Sequence, residues 1–540
     1  MRRLAIVLSF VLALGVFPTQ DAVPASLAGQ PPGPTVLQGD FNGDRIADLA
    51  VGVPGEDLGA VADAGAVTVV YRGQPSLAGS QVFSQNGAGG SAEAGDAFGD
   101  AVAVGNFNGD GFGDLAVGAP GENVGSAGDA GAINVLYGSA SGLSGAGSQQ
   151  FTQNSPGVAS SAESGDAFGA ALAAGDFNAD GFADLAVGVP LEAGSVHVGA
   201  VTVLYGSAGG LTGAGSQMFT QNSPRIPDSS EAGDGFGTSL AAGLYNGVGF
   251  AGLAIGVPGE DLGAAVDAGA VTVLRGSDIG LTGDGSALFT QDTPGIGGSA
   301  ETGDLFGFAL AAGTQLDIFT AVPDHAHLAI GAPGEDVFSV VDAGSVTLLL
   351  SNVGVLQASG SASYTQNNIG LGPAAEAGDL FGYSLAMGDF TGSGSDEEPI
   401  GGPHLAIGVP GEDVFNLVDA GVVDAVYGSF PEQPRQLQFT QPGQGAGAES
   451  GDRFGFALTS TGNSLASVMI GAPGEDVNTS TGLVRDAGAV SFLHGTRDFQ
   501  GEGGGGLVSS QILLYQNTPG VPGTAEPGDL FGAALATSAL

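Results

Sequence analysis

Residues 40–57 read DFNGDRIADLAVGVPGED. Acids and amides recur through the first nine positions, an apolar-dominated run fills 49–53, and the stretch ends on Pro-Gly-Glu-Asp. A near-continuous apolar run this short, closed by a Pro-Gly turn, predicts a strand whose sheet is covered on both faces. The same run returns as LAVGA at 115, LAVGV at 185, LAIGV at 253, LAIGA at 328, LAIGV at 405 and VMIGA at 468, giving seven copies. Three further motifs recur in register with it. Glu-x-Gly-Asp-x-Phe-Gly starts at 93, 163, 231, 301, 376, 449 and 526; relatives of DAGAVTVVYRG run from 63 to 486; and QxFTQN-type segments run from QVFSQN at 81 to LLYQNTPG at 513. Four registered motifs in seven copies establish a repeat architecture.

Each unit reads as four short strands punctuated by Gly, Pro, Asn and Asp, with no sustained helical period. Segments such as FGAALAAG at 168–175 are built from small residues and suit an innermost strand, where neighbouring sheets converge. Seven such units predict an all-β, seven-bladed β-propeller of four-stranded antiparallel blades over residues 35–540, with an open solenoid as the rival. The first unit lacks its Phe-Gly start, and residues 526–540 are only that start, so the N- and C-terminal segments should share and close one blade. TVLQG at 35–39 and ALATS at 534–538 compete for its inner-strand position.

Composition narrows the setting. The 540 residues hold 101 Gly, 27 Pro, no Cys and no Trp, and ten basic residues face 56 acids for a net charge of -46. All ten are Arg, a usage that fits a bacterial, GC-rich source. So acidic a surface repels nucleic acid and anionic membranes and attracts cations. Residues 1–25 read as a signal peptide, with Arg2 and Arg3 before an apolar Leu4 to Phe17 core and a Val-Pro-Ala cleavage site, and residues 26–34 as a linker. These features predict a secreted, cell-surface or periplasmic protein without disulfides and without an integral membrane segment after signal removal.

The acids at 40–48 have a pattern of their own. Asp40, Asn42, Asp44 and Asp48 stand at positions 1, 3, 5 and 9 of a loop, as do Asn106, Asn108, Asp110, Asp114 and Asp176, Asn178, Asp180, Asp184 in the next two units. Hard oxygen donors so spaced, with the position 7 carbonyls of Ile46, Phe112 and Phe182, can wrap Ca²⁺. Gly111 and Gly181 fill the sharply turned position 6, which Arg45 holds in the first unit. An EF-hand is excluded, because Val51, Val117 and Val187 stand where its Glu belongs. Unit four keeps Asn246, units five and seven keep no such loop, and unit six offers Asp389, Thr391, Ser393 and Glu397 as a possible fourth site.

These motifs resemble the FG-GAP repeat family, the propeller of integrin α subunits. Phe-Gly at the start of the unit, Gly-Ala/Val-Pro in its middle and the carboxylate loop between them carry the resemblance. It implies three calcium hairpins on one face and an extracellular binding or adhesion module whose opposite face engages a protein or glycan ligand. That face gathers Glu56, Asp57, Asp63, Glu93, Asp96 and their counterparts, acids that also suit turn capping. A carbohydrate-binding propeller lectin is the alternative, and a propeller-scaffold hydrolase or lyase a weaker one, since no HExxH, GxSxG or nucleophilic Cys is present. His325 and His327 beside Asp324 read as a surface turn.

Overall fold

The computed structural model describes residues 39–537 except 73–76, 78, 194–195, 246–248, 316–324, 353–354, 370–373, 392–403, 428–434, 442–446, 462–464, 481 and 497–505. The proposed signal peptide and linker, residues 1–34, lie outside that range, as do Asn246, Asp324, Ser393 and Glu397.

Seven four-stranded antiparallel sheets follow one another. Blade two is typical: Val102–Gly105 lies innermost, then Asp114–Ala119, Ala132–Tyr137 and the outer Ser144–Phe151. Its second strand, DLAVGA, is buried at every position, as a strand covered on both faces must be. Consecutive innermost strands touch all the way round, and the terminal strand Ala534–Ala536 contacts both Ala457–Ser460 of blade seven and Val102–Gly105 of blade two. The ring is therefore closed. Ala534–Ala536 also pairs with Leu49–Val53, with Ala50 opposite Ala536, so the C-terminal segment takes the contested inner place in blade one.

The two motif glycines make the blades fit. A side chain at Gly52 would lie 2.0 Å from the carbonyl oxygen of Gly99, and one at Gly118 would lie 2.1 Å from that of Gly169. The same contact joins Gly188, Gly256, Gly331, Gly408 and Gly471 to the Phe-Gly glycine of the following blade, the last to Gly532. The Phe beside each, from Phe98 to Phe531, is fully or almost fully buried. Gly118→Ala is therefore expected to cost at least ~3 kcal/mol, because backbone rather than a flexible side chain must give way. A urea melt showing less than about 1 kcal/mol of loss would contradict this packing.

Side chains then lock neighbouring blades. The last Gln of each QxFTQN-type segment donates from Nε2 to the Glu of the next blade's Pro-x-Glu turn: Gln85 to Glu122 at 2.8 Å, Gln153 to Glu192 at 2.6 Å, Gln221 to Glu260 at 2.7 Å and Gln366 to Glu412 at 2.6 Å. Gln291 to Glu335, Gln441 to Glu475 and the ring-closing Gln516 to Glu56 complete seven such bonds. The sequence analysis gave the QxFTQN-type segments no role beyond recurrence; the signal for this lock was a Gln held in register with a Glu in all seven units.

Candidate metal centre

In blades two and three the innermost strand turns into the second through the acidic hairpin, and in blade one, whose innermost strand comes from the C-terminus, the same loop leads directly into the second strand Leu49–Val53. Local bonds shape that turn. Asp40 accepts the N–H groups of Gly43, Asp44 and Arg45, Asn42 Oδ1 accepts that of Asp44 at 2.8 Å, and Asp44 Oδ1 accepts that of Ile46 at 2.9 Å. Asn178 and Asp180 repeat these turns in blade three, as Asn108 and Asp110 do in blade two. Short Asx side chains binding their own backbone are what allow so tight a loop. Position 6 lies in the left-handed region, with φ +94° at Gly111, +89° at Gly181 and +68° at Arg45. Arg45→Gly is expected to raise stability by about 1 kcal/mol, since glycine enters that region without steric cost. A Tm that fails to rise would sink this point.

The position 9 acids are the structural anchors. Asp48, Asp114 and Asp184 are fully buried. Each grips two backbone segments: Asp48 accepts from Phe41 N and Arg72 N, Asp114 from Phe107 N and Gly138 N, Asp184 from Phe177 N and Gly206 N. Burial pushes the Asp48 and Asp184 carboxyls up to about 8 and Asp114 to about 7; these N–H bonds oppose the rise, and Asp44 and Asp40 add to it at Asp48 as Asp176 and Asp180 do at Asp184. Each carboxylate oxygen retains a second lone pair for another partner.

The residues of the first three hairpins fit a hard cation. In blade two the buried Asn106 Oδ1, at position 1, has no hydrogen-bond partner. Buried acceptors of this kind are normally satisfied by a donor or an ion. Among the described residues no three His, Cys, Asp or Glu side chains form a metal-binding group on their own. Asn oxygens and main-chain carbonyls would have to share in any coordination, as is usual for Ca²⁺.

The later blades substitute the anchor. Position 9 is Gly252 in blade four, His327 in blade five, His404 in blade six and Ser467 in blade seven. His327 is not in a surface turn: it is buried in the strand His325–Ala332, where Nδ1 accepts Ser351 N at 2.8 Å. His404 Nδ1 accepts Phe390 N at 2.9 Å, as Asp48 accepts Phe41 N, and burial holds its pKa below the ordinary imidazole value. Asp389 Oδ1 accepts Thr391 N at 3.0 Å and lies 3.8 Å from His404 Nδ1. A neutral ring thus replaces a carboxylate, which removes a charge that a cation would need.

On the opposite face the acids serve the fold first. Asp57 Oδ1 accepts Asp63 N at 2.9 Å, and Asp96 accepts Glu93 N at 2.5 Å, with equivalents in the other blades. Asp57, Asp63 and Glu93 nonetheless keep exposed surface, so this face carries a ring of negative charge.

A closed ring of blades bonded through Phe-Gly and Gly-Ala/Val-Pro glycines, with the carboxylate hairpin between them, defines an FG-GAP propeller. Residues 32–70, 98–136 and 168–204 match the FG-GAP repeat model, so the chain carries FG-GAP repeats within a seven-bladed propeller, consistent with its similarity to integrin α subunits. The matched segments hold the three complete hairpins. It is similar to integrin alpha-PS2 of Drosophila melanogaster, 30% identical over 237 residues that make up 42% of this chain and 15% of that protein. It is also similar to phosphatidylinositol-glycan-specific phospholipase D of Mus musculus, 40% identical over 108 residues, 19% of this chain and 12% of that protein. The matched regions thus span less than a sixth of these relatives' length. A periplasmic gluconolactonase from Pseudomonas aeruginosa aligns over 91% of this chain and 99% of its own at TM-score 0.40 and 12% identity. No helix among the described residues is long and apolar enough to cross a membrane.

Proposed function

We propose that this chain is an exported, Ca²⁺-stabilised propeller that serves as an extracellular binding or adhesion module and performs no catalysis. The observation that carries the calcium reading is the orphaned Asn106 oxygen within a loop of hard donors whose buried acid anchors the fold. Asp40, Asn42, Asp44, Asp48 and the Ile46 carbonyl would hold one ion. Asn106, Asn108, Asp110, Asp114 and Phe112 would hold a second, and Asp176, Asn178, Asp180, Asp184 and Phe182 a third. The ion would tie the turn to the buried strand that follows. The likeness to integrin α propellers supports a ligand-binding role for the opposite, acidic face, with an extracellular protein or glycan as partner.

The test is capture on immobilised matrix proteins and glycans, with Ca²⁺ and with EDTA. A saturable protein hit lost in EDTA is the expected result. A saturable, EDTA-sensitive glycan hit would move the reading to a lectin. Turnover of any ester or glycoside that a single Asp or Glu substitution on the acidic face abolishes would overturn the non-enzymatic reading.

A further inference from the structure

The acidic face is not uniform. In blades one, two, four, five and six the Pro-Gly-Glu turn leads into a two-residue hairpin, such as that closed by Leu58 and Val61 or by Val337 and Val340. The first central residue of that hairpin takes positive φ. In blades one, two and four it is Gly59, Gly125 and Gly263, at φ +71°, +66° and +71°. In blades five and six it is Phe338 and Phe415, both at φ +61°. Glycine is the residue this position favours, and a bulky side chain there is a genuine steric outlier.

Neither ring is buried against the described residues. Phe338 and Phe415 are each 95% exposed, and Val341 and Val418, on the same two turns, are 52% and 55% exposed. The two turns are neighbours through one segment: Gly378 N donates to Val341 O, and Gly411 N, at the base of the Phe415 turn, donates to Asp379 O. Two strained aromatics on adjacent blades, held out in water where related blades use glycine, are the pattern of a recognition surface.

Charge names the partner. Asp336, Asp342, Asp413 and Asp419 sit on the two turns, and Glu376 and Glu449 stand two residues before Gly378 and Gly451, which donate to Val341 O and Val418 O, on a chain with net charge -46. An acidic rim favours a positive surface and penalises a negative one. We infer that the Phe338–Phe415 patch docks a basic, apolar-tipped protein segment, with aromatic contact at its centre and Arg or Lys on the acidic rim. This deepens the binding role proposed above and rests on it.

The protein has no Trp, so a single Trp in a probe peptide reports binding without background. The probe is a twelve-residue peptide alternating Arg with Leu and carrying one Trp. Its controls replace every Arg with Gln or with Glu. The expected result is saturable binding of the basic peptide only, weakened by salt, and at least tenfold weaker in the double variant Phe338→Gly, Phe415→Gly. That variant relieves strain, so its Tm should equal or exceed the parent's, and lost binding cannot be ascribed to misfolding. Four outcomes would overturn the inference: no binding, unchanged affinity in the double variant, equal binding of the Gln peptide, or a parent dimer that the double variant dissolves in sedimentation. If basic-peptide binding survives Phe→Gly but falls in Asp57→Asn, Asp63→Asn, the acidic face still binds and only the aromatic patch is wrong. Failure of capture on matrix proteins, by contrast, strikes the broader function.

Discussion

Millimolar Ca²⁺ is expected to raise the melting temperature of EDTA-treated protein by about 4 °C. Extracellular Ca²⁺ modules bind at roughly 10⁻⁴–10⁻³ M, so each site at tenfold saturation adds about 1.4 kcal/mol and three add about 4. A chain of this size gains roughly one degree per kcal/mol, from an unfolding entropy of about 2 cal/mol/K per residue. Asp44→Ala with Asp180→Ala should remove most of the gain in Ca²⁺ and change little in EDTA. Blade two, whose position 1 is the neutral Asn106, should fill at the highest Ca²⁺ concentration. Differential scanning calorimetry in the two buffers decides the matter. Equal loss of stability in both would mean that these acids shape turns and hold no ion.

The second large effect is on pH. Burial pushes the junction carboxyls of Glu122, Glu192 and Glu335 up to about 7 and those of Glu260 and Glu412 to about 8, from 4.5; facing aspartates such as Asp96, Asp166 and Asp304 add to the rise, and the Gln bond opposes it. A carboxyl whose folded value exceeds its unfolded value favours folding when protonated. That stability is complete below about 4.5 and is lost as the pH passes through 7 to 8. Allowing about 1 kcal/mol per junction for screening, Tm in EDTA should fall by roughly 5–7 °C between pH 5 and pH 8. Glu260→Gln keeps a polar group at the junction and removes the charge, so it should flatten this slope and stabilise the protein at pH 8. A Tm that rises with pH over this interval would show that the junctions hold their charge by another means.

The seven-bladed architecture was legible because each blade had to solve the same packing problem. LAVGV recurs since its strand is covered on both faces, and the paired glycines recur since one blade's carbonyl lies where the other's side chain would be. The hairpin oxygen donors at 40, 42, 44 and 48 were legible as one tight acidic turn because their spacing is local. The junction acids were not. Glu56 and Gln516 stand 460 residues apart, and no local pattern says that they meet.

By itself the sequence determined the number of blades, the strands within each and the loops rich in hard oxygen donors, because periodicity, turn chemistry and short-range spacing are written along the chain. Tertiary structure alone decided which terminus fills the inner place of blade one, that His327 and His404 replace a buried carboxylate, and that seven Gln–Glu pairs lock the ring. Those outcomes depend on which distant groups share a buried volume, and burial is a property of the assembled ring.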